Sequence, residues 1–84
     1  MELKTLFEEA ALKSKTLTKK PDNDILLQLY SLYKQSTEGD VNIEAPVNQF
    51  DFVAKAKFIA WQALKGKSNE TAMQEYIELI ATLK

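Results

Sequence analysis

The sequence predicts an all-α protein of four helices, and three observations carry that prediction. Apolar residues recur at three- and four-residue spacing in four separate stretches. The chain's two glycines and two prolines all fall between those stretches. The alternation of β-branched residues that marks a strand is nearly absent. With 84 residues there is material for one small domain and not two, so the chain reads as a single domain over residues 1–84.

The first helix spans about residues 2–14, with Leu3, Leu6, Phe7, Ala10 and Ser14 at helical spacing. Pro21 followed by Asp22 and Asp24 announces the second. Proline suits a first turn, and carboxylates suit the positive end of the helix dipole. That helix should run to about residue 36, before a loop marked by Gly39 and Pro46. The third occupies about residues 49–64 and ends before Gly66. Ser68 can then cap a fourth helix of about residues 69–83, with Met73, Tyr76, Ile80 and Leu83 on one face. Helices three and four, joined by a few residues, should be antiparallel neighbours. The roughly twelve residues between helices two and three reach along a whole helix at about 3.3 Å each. Periodicity alone therefore leaves open a plain up-down bundle and one with a long crossover.

Composition excludes several kinds of chemistry. There is no cysteine and no histidine, which rules out disulfides, the usual zinc sites and Ser–His or Cys–His nucleophile pairs. The chain is expected to be non-catalytic, with no metal and no cofactor. Eleven lysines face twelve acidic residues, without a single arginine, for a net charge of −1. Nucleic-acid binding depends on a surplus of cations against phosphate, so it is not expected. No apolar run reaches membrane-spanning length, and the acidic start MELKTLFEE is unlike a secretory or transit peptide. A cytoplasmic monomer without stable membrane insertion is the expectation.

Two helices carry more apolar surface than one packing face needs. On helix two, Ile25, Leu26, Leu29, Leu32 and Tyr33 form one arc, and Leu27, Tyr30 and Lys34 extend it. Ordinary packing with a snorkelling lysine would account for the surplus; so would a ligand. On helix three the polar side is narrow, Asp51, Lys55 and Gln62, and Lys57 falls inside the apolar arc near Leu64, Phe50 and Trp61. A lysine there snorkels, pairs with a carboxylate, or meets an anion. The three tyrosines, Tyr30, Tyr33 and Tyr76, lie near these positions or on the apolar face of helix four. Tyrosines often belong simply to a core with the hydroxyl at its edge. Three of them with Lys34 and Lys57 would also suit an aromatic base carrying phosphates, since rings stack on bases and ammoniums neutralise phosphate.

The stretch LYSLYKQSTEGDVNIEAP resembles the acyl-CoA-binding protein family, whose pattern Tyr-x-x-Tyr-Lys-Gln-Ala/Ser-Thr-x-Gly-Asp-x-Asn is met here by Tyr30, Tyr33, Lys34, Gln35, Ser36, Thr37, Gly39, Asp40 and Asn42, with Pro46 four residues on. KAKFIAWQALKGKS, AMQEYI and LTKKP resemble further stretches of the same family, in order along the chain. The resemblance implies a four-helix bundle in up-down-down-up order, with helices two and three parallel and residues 37–48 crossing over. It implies non-catalytic binding and transport of long-chain fatty acyl-CoA. It implies that Tyr30, Tyr33 and Lys34 receive the adenine and the ribose 3′-phosphate, that Lys57 reaches the same phosphate, and that Lys15 and Tyr76 complete the site. Ala10, Ala11, Leu26 and Leu27 match positions beside the ligand. The chain departs from the pattern in Phe58, where the family has tryptophan, in Val53, where a lysine is common, and in one additional residue between Pro46 and Phe52.

Other functions fit parts of the sequence. A protein-interaction module could use the wide apolar arc as a groove, and a free-lipid carrier could take fatty acids without CoA. Catalysis would need pairs such as Glu8 with Glu9, or Asp40 with Lys34; adjacent glutamates on a helix point apart and read better as solvated charge.

Overall fold

The structure is a computed structural model that describes residues 2–83. Four helices make up its regular structure: α1 Leu3–Ser14, α2 Asn23–Glu38, α3 Phe52–Gln62 and α4 Asn69–Thr82. No strand occurs among the described residues.

Pro21 lies outside α2 rather than in its first turn. Asp22 is the N-cap, with extended backbone, and its carbonyl accepts the Leu26 amide at 2.9 Å. At the other end α2 continues past residue 36 to Glu38, where Gly39 at φ 82° stops it. That conformation costs glycine little and would strain any side chain. α3 is shorter than its periodicity suggests. Asp51 caps it by accepting the Ala54 amide at 3.0 Å, while Asn48 holds the Phe50 amide at 2.9 Å in the preceding turn. After Gln62 the chain loosens into turns that end at Gly66, φ 92°. Ser68 caps α4 as expected, its Oγ accepting the Thr71 amide at 3.1 Å.

Contacts between helix ends fix the directions. Asn69, opening α4, donates to the carbonyls of Gln35 and Ser36 at the end of α2, so α2 and α4 are antiparallel. Trp61, ending α3, donates through Nε1 to the Gly39 carbonyl just past α2 at 2.9 Å, while Phe52 and Val53 lie beside Asn23 and Leu26 at the other end. α2 and α3 are therefore parallel. Phe7 of α1 meets Tyr76 of α4, and Lys13 lies near Ile80 and Leu83, which makes α1 and α4 parallel. The order is up-down-down-up, and residues 39–51 form the crossover.

The core lies where α1 and α2 pack on α4: Phe7, Ala10, Leu29, Leu32, Ala72, Tyr76 and Ile80. Met73 and Leu83 pack against it, so the α4 face read from the sequence is the buried one. α3 touches the bundle through α2 and is anchored mainly by Trp61, 1% exposed; it runs antiparallel to α4 but is not its packing neighbour, because α2 lies between them. Beside that indole a polar knot ties three segments together. Gln35, fully buried, donates from Nε2 to the Lys67 carbonyl at 2.8 Å and to Asp40 Oδ1 at 2.9 Å. The same Oδ1 accepts the Gly66 amide at 2.8 Å. Gln35 Oε1 meets no donor among the described residues, so the side chain acts through its amide nitrogen.

Candidate ligand-binding site

About a turn before that knot, α2 leaves side chains open. Tyr30 and Tyr33 stand one turn apart on α2. Tyr33 is 43% exposed, with its ring stacked 5.6 Å from Phe7 and tilted 6.1 Å from Tyr76. Tyr76 is a core residue, edge-on to Phe7 at 5.1 Å. Phe7 thus backs the exposed ring, which keeps Tyr33 in one orientation without hiding it.

The two lysines singled out on helical wheels behave differently. Lys57 is exposed at the edge of α3, and its ammonium sits 5.3 Å from the Tyr30 ring centroid. Among the described residues it forms no ion pair. Its place in the apolar arc is resolved by snorkelling over an aromatic face, worth about 0.5–1 kcal/mol at an exposed site. Lys34 is already engaged. Its ammonium donates to Glu38 Oε2 at 2.6 Å and stands 5.5 Å from the Trp61 ring centroid. The hydrogen bond that Lys34 donates to Glu38 raises the Lys34 pKa, and the bonds that Glu38 accepts from Lys34 and then Asn42 lower that of Glu38. Both side chains remain about one-third exposed, 33% and 38%, so water screens the pair.

Three hollows meet along this face. The first, about 430 Å³, lies between Ala11, Ser14 and Lys15 of the α1 end and the rings of Tyr33 and Tyr76. The second, about 260 Å³, shares Ser14, Tyr33 and Tyr76 and adds Leu17, Pro21, Leu26 and Tyr30. The third, about 380 Å³, shares Leu26 and runs between α2 and α3 past Leu27, Phe52, Val53, Ala56 and Lys57. Together they make a trough with Lys15 at one end, tyrosines in the middle and an apolar slot edged by Lys57 at the other. Five of the six sequence-predicted site residues, Lys15, Tyr30, Tyr33, Lys57 and Tyr76, line it. Lys34 lines none of the three and sits toward Trp61. Ala11, Leu26 and Leu27 line the trough. Ala10 instead faces a separate hollow of about 400 Å³ between α1 and the end of α4.

Sequence reasoning passed over Phe7 as a support for Tyr33, and Ser14, Leu17, Pro21 and Phe52 as lining. Phe7 was visible only as a member of a core stripe. Leu17 and Pro21 sit in a connection that has no period to read. Val53 is one of the apolar walls of the slot, so the position where a lysine is common in the family here extends the greasy surface.

Fold and trough together define a class: the up-down-down-up four-helix bundle with an aromatic, lysine-edged face. Comparison with known proteins agrees. A family model described as "Acyl CoA binding protein" matches residues 4–80. An acyl-CoA-binding protein of Dictyostelium discoideum is 56% identical over 79 residues, covering 94% of this chain and 93% of that one. The crystal structure of Oryza sativa Acyl-CoA-Binding Protein 2 matches with a TM-score of 0.90 at 43% identity, covering 98% of this chain and 90% of that one. The chain belongs to the acyl-CoA-binding protein family. It is also similar to a segment of a longer protein, enoyl-CoA delta isomerase 2 of Rattus norvegicus, at 48% identity over 77 residues, of which it covers 19%. No described helix is long and apolar enough to cross a membrane.

Proposed function

We propose that the protein binds long-chain fatty acyl-CoA esters and carries or stores them without acting on them chemically, as one domain over residues 1–84 and as a cytoplasmic monomer. The observation that carries this reading is the continuity of the trough: a cationic and aromatic stretch joined through Leu26 to an apolar slot. An acyl-CoA has the same succession of parts. Its nucleotide would lie against Tyr33 and Tyr30, with Lys15 and Lys57 neutralising phosphate and Tyr76 closing the floor. Its tail would lie between Leu26, Leu27, Phe52 and Val53. Lys34 would join the phosphate by leaving Glu38, an exchange made cheap by the exposure of that pair.

The energetics favour the whole ligand over its parts. Each methylene taken from water contributes about 0.8 kcal/mol, so a dozen give about 10 kcal/mol before ordering costs. A charge-assisted hydrogen bond adds about 1.5–3 kcal/mol. Titration calorimetry with hexadecanoyl-CoA, CoA and hexadecanoate tests the reading. The thioester should bind at least a hundredfold more tightly than either part, an expectation of roughly 3 kcal/mol or more. Equal affinity for the free acid would make the protein a fatty-acid carrier, and absence of binding to all three would remove the reading.

A further inference from the structure

Ser14 stands where the first and second hollows of the trough meet, sharing both with Tyr33 and Tyr76. The polar side chains of the second hollow are Ser14 and the three tyrosines. A phenol hydroxyl both donates and accepts, and it turns to suit what it meets. The tyrosines can therefore hold a flat ring without reading its edge. Ser14 differs, because its proton is already spent. At the end of α1 the backbone tightens: the Lys15 amide donates to the Leu12 carbonyl at 3.1 Å and the Thr16 amide to the Lys13 carbonyl at 2.9 Å. These bonds reach back three residues, and they leave the Ala11 carbonyl without a backbone donor, as happens to carbonyls at a helix end. Ser14 Oγ fills the place, donating to the Ala11 carbonyl at 2.6 Å. A hydroxyl has one proton and two lone pairs. With the proton fixed on Ala11, Oγ offers the trough acceptor capacity only. Thr16 makes a similar bond, to the Lys13 carbonyl at 3.0 Å, but it lines the separate hollow between α1 and α4.

We infer that Ser14 reads the base of the nucleotide: its Oγ accepts a hydrogen bond from the 6-amino group of adenine and so selects a purine that carries an amine at that position. The inference deepens the acyl-CoA reading and rests on it for the ligand. Stacking on Tyr30 and Tyr33 is tolerant of the base, since every base has a π face. The rings supply affinity, and the amine-to-Oγ bond supplies the choice. A base without the amine leaves Oγ without its donor. Ser14 cannot turn its proton outward in compensation without leaving the Ala11 carbonyl bare. Glu8 is another acceptor in the first hollow, but it is exposed and does not line the second. Water competes for its oxygens more than for Ser14 Oγ, which is half-buried beside the rings.

The test is titration calorimetry with hexadecanoyl-CoA and with the same thioester in which hydrogen replaces the 6-amino group of the adenine. Both ligands are titrated into the parent and into Ser14→Ala, Ser14→Thr and Glu8→Ala. The parent should bind the amine-bearing ligand about fivefold more tightly than the analogue, the scale of one neutral hydrogen bond. Ser14→Ala should bind the two within about twofold of each other. Ser14→Thr keeps a hydroxyl that can bond the same carbonyl and should retain the preference, and Glu8→Ala should retain it too. If Ser14 served only to cap Ala11, Ser14→Ala would weaken both ligands alike and leave their ratio at the parent value; that result overturns the inference. So does a parent that binds the two ligands equally, which leaves the acyl-CoA reading standing, or a preference that disappears in Glu8→Ala. Failure of the parent to bind either ligand strikes the acyl-CoA reading, and the inference with it.

Discussion

The two halves of one short stretch, residues 30–40, do opposite things with their polar groups. Tyr30 and Tyr33 leave their rings open along a trough, and Lys57 covers one of them without a carboxylate partner. A turn later, Gln35 and Ser36 are buried, and with Gly39 and Asp40 they are consumed by contacts to Trp61, Gly66, Lys67 and Asn69. The first half leaves binding capacity unspent; the second has closed on itself. The contrast teaches that a motif which looks like a single ligand signature contains a ligand face and a structural clasp. Lys34 stands at the border, oriented by the clasp through Trp61 and held by Glu38.

Substitutions should separate these halves. The largest effect belongs to the clasp. Trp61→Ala removes the main anchor of α3 and its hydrogen bond to Gly39, and should cost about 3–5 kcal/mol of stability in urea unfolding. Gln35→Ala, which strips the knot of its bridging amide, should cost about 2 kcal/mol. On the open face the sign of the comparison reverses. Lys57→Ala should weaken hexadecanoyl-CoA binding at least about tenfold by calorimetry, while the unfolding midpoint stays within error. If Lys57→Ala lowers the unfolding midpoint and leaves affinity unchanged, the division between the halves is wrong.

Acid should act on the clasp. The Gly66 amide first, and then Gln35, hold the Asp40 pKa below its usual value. Its contribution to stability is complete above the unfolded value of about 3.9 and is lost as pH falls through the lower folded value. Chemical denaturation between pH 5 and pH 2 should show a decline that Asp40→Asn makes shallower; a variant as acid-sensitive as the parent would acquit this carboxylate. The smallest effect is expected at the border. Glu38→Gln frees Lys34 and should raise affinity by roughly two- to fivefold. Lower affinity would mean that the paired form of Lys34 is the one that binds.

Four helices, the N-cap of α4 and its buried face were legible because apolar spacing and capping chemistry are local. The ends of α3 were not, since Asn48 and Asp51 compete with a continuous apolar pattern through side-chain bonds to backbone amides. Helix direction was open to periodicity, which cannot tell a crossover from a hairpin; resemblance supplied the order, and the Gly39–Trp61 and Asn69–Ser36 contacts account for it. For the trough, wheels singled out Tyr30 and Lys57 as surplus but could not reveal that Phe7 supports Tyr33, because that contact joins separate helices. The Lys34–Glu38 pair was hidden for another reason: a helix ending at about residue 36 leaves Glu38 in the loop, and only with α2 continued to Glu38 do the two stand four residues apart on one face.

The central claim is that the trough from Lys15 to the α2–α3 slot receives acyl-CoA while the clasp stays closed. Amide chemical-shift mapping during titration with hexadecanoyl-CoA tests it most directly. Shifts should concentrate at Lys15, Tyr30, Tyr33, Val53 and Lys57, and Gly66 and Asn69 should barely move. Saturable shifts centred on the hollow around Leu6, Lys13 and Ile77, with the tyrosine face still, would contradict it.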